Sequence, residues 1–515
     1  MHSLKIFLAD PIFMRFLRRW AGMALCIHLA TCFFSVGFHQ HDEHFQIVEF
    51  INLKLGGTSE ANLPWEFQTR MRPWFQPFSL YVVAWPLKQL GISNTYVLTT
   101  LFRMFSAVLG WTSLLATIFM GLVLIQKNKQ LQSEYLLRAQ WLVRILTLCW
   151  FLPYLHARAS ADNWGAAFLI LGIATLSLYG PLVKAVPGVM VGWLFGLAIE
   201  CRFQAVVSAG AVVLWMIFSL WKEKKQMVEI AKAVSFVLIG LILAKILGIA
   251  LDTWGYGNFT ISQWNYLVED FKAHIQDTIL PSPWWDYFRL TLTRGIPPLS
   301  IFFILGVVAF WWKNPKNILT WATLSFFLVH TAIAHKELRY LYPILCLAPL
   351  MAYIAWCDFV QTRNWTRRAW WRPVTSALWG LNLVLLVISS VKPSNFAVTF
   401  YHYMENRMSQ PDAPKILYHL GENPYIMVGH PLRFYWPQEL ETRELVDFRA
   451  FEAMPASESF YLFTRTGADF WAVKNSKRQC QLQFLSYPEF VLQFNYTQWV
   501  ERSRVWSLFH CVSNK

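Results

Sequence analysis

The sequence predicts an all-α, multi-pass membrane protein that carries a small α/β domain at its C-terminus. Composition gives the first reason. Of 515 residues 56% are hydrophobic and only 15% charged, against roughly 25% charged in ordinary soluble domains. The second is a series of apolar runs, among them "GMALCIHLATCFFSVGF", "AFLILGIATLSLYG", "AVVSAGAVVLWMIFSLW" and "PPLSIFFILGVVAFWW". Each is long enough to cross, or nearly cross, a hydrocarbon core of about 30 Å. The third is the sidedness of the basic clusters, which fixes a register for the spans.

The spans are predicted at 22–38, 95–126, 139–155, 165–181, 184–200, 205–221, 230–251, 297–312, 316–333, 339–356 and 373–391, about eleven in all. With the N-terminus inside, "FMRFLRRW", "KNKQLQSEYLLR", "WKEKKQ", "KNPKN" and "TRNWTRRAWWR" all fall on the cytoplasmic side, as the positive-inside rule requires. The stretch 76–90 carries Pro77 and Pro86 and is read as an interfacial or re-entrant piece of the first outer loop. Counting it as a span would export the clusters that follow. The 27 Trp and 19 Tyr suit anchoring at the membrane interface.

These boundaries give a transmembrane region at 1–391, with a first outer loop at 39–94, an outer loop at 252–296, and an extracytoplasmic α/β domain at 392–515. In the last region "SFYLFTRTG" and "QLQFLSYPEFVLQF" alternate like strands, whereas "PQELETRELVDF" reads as a helix. Six cysteines lie in or beside apolar segments. Cys480 and Cys511 lie in the C-terminal region and can pair if it faces an oxidising compartment. The formal charge of +15 points to loops rather than to nucleic acid, since no basic stripe or nucleic-acid-binding motif accompanies it. The first span has no small-residue cleavage site and is expected to be retained.

Polar groups that topology does not require gather on the outer side. They are Asp42 and Glu43, Arg158 and Asp162 in "ARASADNW", Arg202 and Gln204 in "ECRFQ", and His335, Lys336, Glu337 and Arg339 in "HKELRYLYP". Ionisable groups at membrane depth are costly and face a cavity or a partner. Locally, "DEHFQIVEFINLKLGG" has Phe45, Val48, Ile51 and Leu55 at helical spacing with Gly56-Gly57 as a stop. It reads as a short amphipathic helix along the interface, with Asp42 and Glu43 in its first turn. Those acids then either serve the helix dipole or carry chemistry. His41, His44 and Asp42 also allow a metal, though spacing dictates no third ligand. The "HKELR" charges read either as a surface ion pair or as a binding site.

In this order the pieces resemble glycosyltransferase family 22, the glycosylphosphatidylinositol (GPI) mannosyltransferases, and within it the α-1,2-mannosyltransferase branch. The resemblance rests on His41-Asp42-Glu43-His44-Phe45-Gln46, "LPWEF" at 63–67, Arg72-Pro73, "ADNWG" after Arg158, "RFQ" at 202–204 and "HKELRYLYP" at 335–343. It spans roughly residues 20–350. The family's usual Pro before the acidic pair is missing, Arg72 is followed by Pro73 where Ser is usual, and Asp162 stands where Glu is expected. A bacterial relative with a different lipid-linked acceptor would show this pattern.

The resemblance implies a GT-C fold and an inverting mannosyltransferase. Its donor would be a polyprenyl-phosphate sugar, dolichyl- or undecaprenyl-phosphate mannose, and its acceptor a glycolipid. Asp42 would be the base, with Glu43 second. His335, Lys336, Arg339 and Arg202 would hold the donor phosphate. His41, His44, Gln46, Arg72, Arg158, Asp162 and Gln204 would line the substrate site, and the loop 252–296 would cover the donor. No metal or other cofactor is expected, membrane lipids surround the chain, and nucleic acid is no partner. A bacterial inner membrane is favoured over the endoplasmic reticulum. A transporter or flippase of lipid-linked sugars is the alternative; it would favour internal repeats with broken helices, and none is apparent.

Overall fold

The computed structural model describes residues 5–126, 132–275, 282–411, 413, 415–455, 459–501 and 503–512. The basic stretch at 127–131 and residues 276–281 of the predicted outer loop lie outside them. The chain divides into two compact units. The first comprises Met1–Ser35, Thr69–Ser79 and Phe102–Lys392; the second comprises Val36–Gln68, Leu80–Leu101 and Pro393–Lys515.

Each predicted span except 139–155 overlaps a single helix. Thr95–Ile125, Ala161–Tyr179, Ala205–Lys222, Met227–Tyr256, Leu338–Thr362 and Trp371–Val391 are long and apolar enough to cross a membrane. Ala185–Cys201, Leu299–Lys313 and Ile318–Ala332 are shorter apolar helices. By length and composition the described residues thus supply six qualifying spans, fewer than the eleven or so expected. Pro11–Phe34 begins with Arg15, Arg18 and Arg19 in its first turns. The predicted span 139–155 is split into Gln132–Leu148 and Leu152–His156. Pro153 opens the second piece, where its missing N–H costs nothing.

Small residues set the closest helix approach in the first unit. Ala185–Cys201 packs along Met227–Tyr256. A Cβ on Gly192 would lie 1.8 Å from the Val237 carbonyl oxygen, and one on Gly240 would lie 2.1 Å from that of Val189. Dispersion between backbones replaces the hydrophobic drive that lipid cannot supply. Two buried arginines close the C-terminal end of Pro11–Phe34. Arg103 Nε donates to the Cys32 carbonyl at 2.8 Å and Arg158 Nη2 to that of Ser35 at 2.6 Å, where the helix dipole favours positive charge.

The second unit holds a five-stranded mixed sheet of strands β1 Ile416–Leu420, β4 Glu441–Leu445, β5 Phe460–Thr466, β6 Cys480–Leu485 and β7 Arg504–Cys511, in the order β4-β1-β5-β7-β6. A two-stranded ribbon pairs β2 Ile426–Met427 with β3 His430–Pro431. Strand β1 runs parallel to both β4 and β5, and β7 runs antiparallel to β5 and β6. The helix predicted over "PQELETRELVDF" is overturned: Glu441–Leu445 is a strand in register with Ile416–Leu420. Glu and Leu favour a helix locally, but parallel pairing on β1 with Leu445 buried against the core outweighs that weak preference.

Cys480 and Cys511 form a disulfide across the register pair that joins β6 to β7. With 31 residues separating the two positions, loop-closure entropy assigns the link about 3–4 kcal/mol. Cys480→Ser with Cys511→Ser is therefore expected to lower the melting temperature of the purified protein by several degrees. An unchanged melting temperature would contradict it.

Candidate functional site

Five helix ends meet at one end of the first unit. They are the N-termini of Ala161–Tyr179, Ala205–Lys222 and Tyr342–Thr362, and the C-termini of Ala185–Cys201 and Ile318–Ala332. Because successive helices alternate in direction, these ends share a face. A cavity there is lined by Asp162, Arg202, Gln204, Phe326, His330 and Tyr340, with Gly165, Ala166, Ala205 and Pro343 completing the wall. Gly165 keeps it open, since a Cβ at that position would come within 3.1 Å of the Arg202 Cβ.

Two arginines flank Tyr340. Arg202 Nε pairs with Asp162 Oδ1 at 2.9 Å, and its guanidinium carbon lies 5.1 Å from the Tyr340 ring centre. Arg339 Nε pairs with Glu337 Oε2 at 2.8 Å, and its guanidinium carbon lies 5.5 Å from the same ring. Glu337 Oε1 also accepts from the Tyr340 hydroxyl at 3.3 Å and faces His335 Nε2 at 3.0 Å. Burial opposes ionisation of Glu337, but the Arg339 charge and the hydrogen bonds from His335 and Arg339 outweigh it and hold the carboxyl below its ordinary value. Arg202 is governed likewise: burial works against its charge, and Asp162 more than restores it.

Lys336 is buried, and its Nζ donates to the carbonyls of Ser282 at 3.0 Å and Ile333 at 2.7 Å. It therefore ties the loop before Asp286–Arg294 to the end of Ile318–Ala332. Gln204 Nε2 donates to the Tyr266 hydroxyl at 2.8 Å, and the Arg72 guanidinium carbon lies 5.8 Å from the Tyr266 ring centre. Arg72 is held through its backbone, whose carbonyl accepts from the Tyr256 hydroxyl at 2.7 Å. Two residues on, the Trp74 N–H donates to Asp252 Oδ1 at 2.8 Å. Arg158, placed at the substrate site by the resemblance, is fully buried, donates to Ser35 and lies against the Tyr154 ring. It is not among the cavity-lining residues.

The remaining predicted site residues belong to the second unit. His41–Glu43, His44–Val48 and Glu49–Lys54 form one continuous helical segment, its middle wound as a π-helix. Such bulges recur at functional sites. Gly56, at φ 77°, ends it as expected. The segment is not half-exposed as an amphipathic reading requires, because Glu43 through Asn52 are all buried. Glu43 accepts at Oε1 from the backbone N–H of His39 at 3.2 Å and of Gln40 at 3.3 Å, which makes it a cap of this helix. Asp42 is more accessible and lies 3.2 Å from His41 Nε2. Gln46 Nε2 donates to Glu66 Oε1 at 3.1 Å, within the "LPWEF" stretch.

His44 is fully buried and stacks on Tyr435. Its Nε2 lies 2.8 Å from Glu49 Oε1, which also accepts from the Phe434 N–H at 2.9 Å, while Glu49 Oε2 accepts from Asn52 at 3.1 Å. Glu49→Ala should destabilise the unit by about 3–5 kcal/mol, because it leaves buried partners unpaired. Thermal denaturation of the purified variant checks this, and a shift under one degree would refute it.

Sequence reasoning missed His330, Tyr266 and Tyr340 as parts of the site. Tyr340 lay inside the "HKELRYLYP" motif. His330 sat unmarked within an apolar run, and its position at a helix C-terminus was the one available signal.

A profile of the Alg9-like mannosyltransferase family matches residues 20–430. The chain belongs to that family. GPI mannosyltransferase 3 of Drosophila melanogaster is 24% identical over 386 residues, covering 74% of this chain and 61% of the fly protein. GPI alpha-1,2-mannosyltransferase 3 of Homo sapiens is 23% identical over 375 residues, covering 71% of this chain and 61% of the human one. The Alg9-like chain thus spans about three-fifths of the length of these relatives. Among solved structures, ArnT from Cupriavidus metallidurans superposes with a TM-score of 0.53 at 11% identity, covering 96% of this chain and 98% of ArnT. The Archaeoglobus fulgidus oligosaccharyltransferase gives 0.52 at 12% identity, covering 90% of this chain and 70% of the archaeal one. This family member accordingly has the GT-C fold of a multi-pass membrane protein.

Proposed function

We propose that the protein is an inverting mannosyltransferase that moves mannose from a polyprenyl-phosphate carrier, dolichyl- or undecaprenyl-linked, onto a hydroxyl of a glycolipid, with α-1,2 linkage. The pair Arg202 and Arg339 about Tyr340 carries this reading. A polyprenyl-phosphate sugar is a phosphodiester of one negative charge, and its leaving group gains a second as C1 is released. Fixed guanidinium donors favour that second charge, and each can take two phosphate oxygens. No proton need be delivered to the leaving oxygen.

Asp42 is the proposed base that takes the proton of the acceptor hydroxyl as it attacks C1 from the face opposite the phosphate. Capping by Glu43 favours Asp42, because the Glu43 carboxylate is committed to backbone donors. The proposed step uses no metal. The disulfide supports an active face in an oxidising, extracytoplasmic compartment, and a bacterial inner membrane remains our preference over the endoplasmic reticulum. Polytopy and buried charge would also suit a lipid-linked sugar transporter, but family membership favours the enzyme.

The test is transfer by the purified protein from polyprenyl-phosphate [³H]mannose and, separately, from GDP-[³H]mannose into lipid extracts of the source membrane. Product from the lipid-linked donor alone is expected. Product from the nucleotide sugar alone would overturn the donor assignment.

A further inference from the structure

His330 lines the same cavity as Arg202 and Asp162, and nothing in the mechanism above uses it. It is the last-turn histidine of Ile318–Ala332 and is 1% exposed. Its Nδ1 lies 2.8 Å from the Phe326 carbonyl oxygen, and the ring stacks on Phe326 with centres 3.9 Å apart. A carbonyl oxygen only accepts, so Nδ1 carries the hydrogen. In the neutral ring the other nitrogen, Nε2, is then an acceptor.

The cavity therefore presents acceptors, His330 Nε2 and the Asp162 carboxylate, beside a single fixed cation, Arg202. Phosphate oxygens carry lone pairs and no hydrogens, so they can accept from Arg202 but can give nothing to Nε2 or Asp162. A polyol offers what such a set lacks: hydroxyl groups that donate to Nε2 and Asp162 and accept from Arg202. We infer that His330 is a specificity residue for the transferred sugar, with Nε2 accepting from one ring hydroxyl while Arg339 and Arg202 face the phosphate. This deepens the proposed function and rests on it.

The experiment compares kcat/KM for polyprenyl-phosphate mannose with its 2-, 3-, 4- and 6-deoxy analogues, in the parent protein, His330→Phe and His330→Gln. In the parent, one deoxy position is expected to cost about tenfold or more, as for a buried acceptor left unpaired. His330→Phe should reduce the penalty at that position to about onefold and leave the other penalties as they were. His330→Gln, whose amide oxygen can reach the place of Nε2, should restore part of it. Where His330→Phe fails to fold, His330→Gln carries the comparison: a smaller penalty than the parent's at that one position is expected, and an unchanged pattern at every position counts against the inference. A parent indifferent to every deoxy position overturns it, as does a His330→Phe protein with the parent's full pattern. Absence of any mannose transfer by the parent overturns the proposed function itself, a different result from transfer without discrimination.

Discussion

Asp42→Asn is expected to reduce mannose transfer by about 10²–10⁴-fold, the usual contribution of a positioned general base, with the protein still folded. Asn keeps the shape and hydrogen-bonding reach of the side chain but cannot take a proton. The neighbouring acid gives the control. Glu43 caps the helix that begins at His41, so Glu43→Ala should cost about 1 kcal/mol of stability and far less in rate. Turnover and melting temperature measured on both variants separate the roles. Equal losses of rate in the two would contradict the assignment of the base, and so would full activity of Asp42→Asn.

Arg202→Ala carries the second large effect. Removing one preorganised donor to a developing charge costs about 10²–10³-fold in kcat. The same change leaves Asp162, whose side chain is 6% exposed, without its partner, a penalty of about 3–5 kcal/mol. Arg202→Lys keeps the charge and loses the planar fork. It should recover most of the stability and only part of the rate. If Lys restores the rate completely, a point charge suffices and the two-oxygen contact is wrong.

The cavity of the first unit was legible because its chemistry is unusual for its surroundings. Charges at Asp162, Arg202 and Arg339 stand out in apolar sequence, and strict alternation of spans brings them to one end. Arg158 stood out for the same reason, yet it serves a helix terminus. A buried cation marks a partner, and sequence does not say whether that partner is a ligand or a carbonyl. Tyr266 was opaque for the opposite reason, since aromatic residues are common in such a chain and its contacts with Gln204 and Arg72 arise only in three dimensions. In the C-terminal region the alternating strand at Phe460–Thr466 was readable, whereas Glu441–Leu445 was not. Its residues prefer a helix in isolation, and the parallel partner that decides the matter lies more than twenty positions earlier.

The carboxylate of Glu49 holds the backbone of Phe434, the Val36 carbonyl receives the N–H of Ser394, and Glu405 receives that of Thr95. A chimera that swaps the stretch after Lys392 for a homologue's must rebuild all three ties at once. Grafts will have to exchange 36–68 and 80–101 together with the C-terminal segment, and covariation among orthologues should link them.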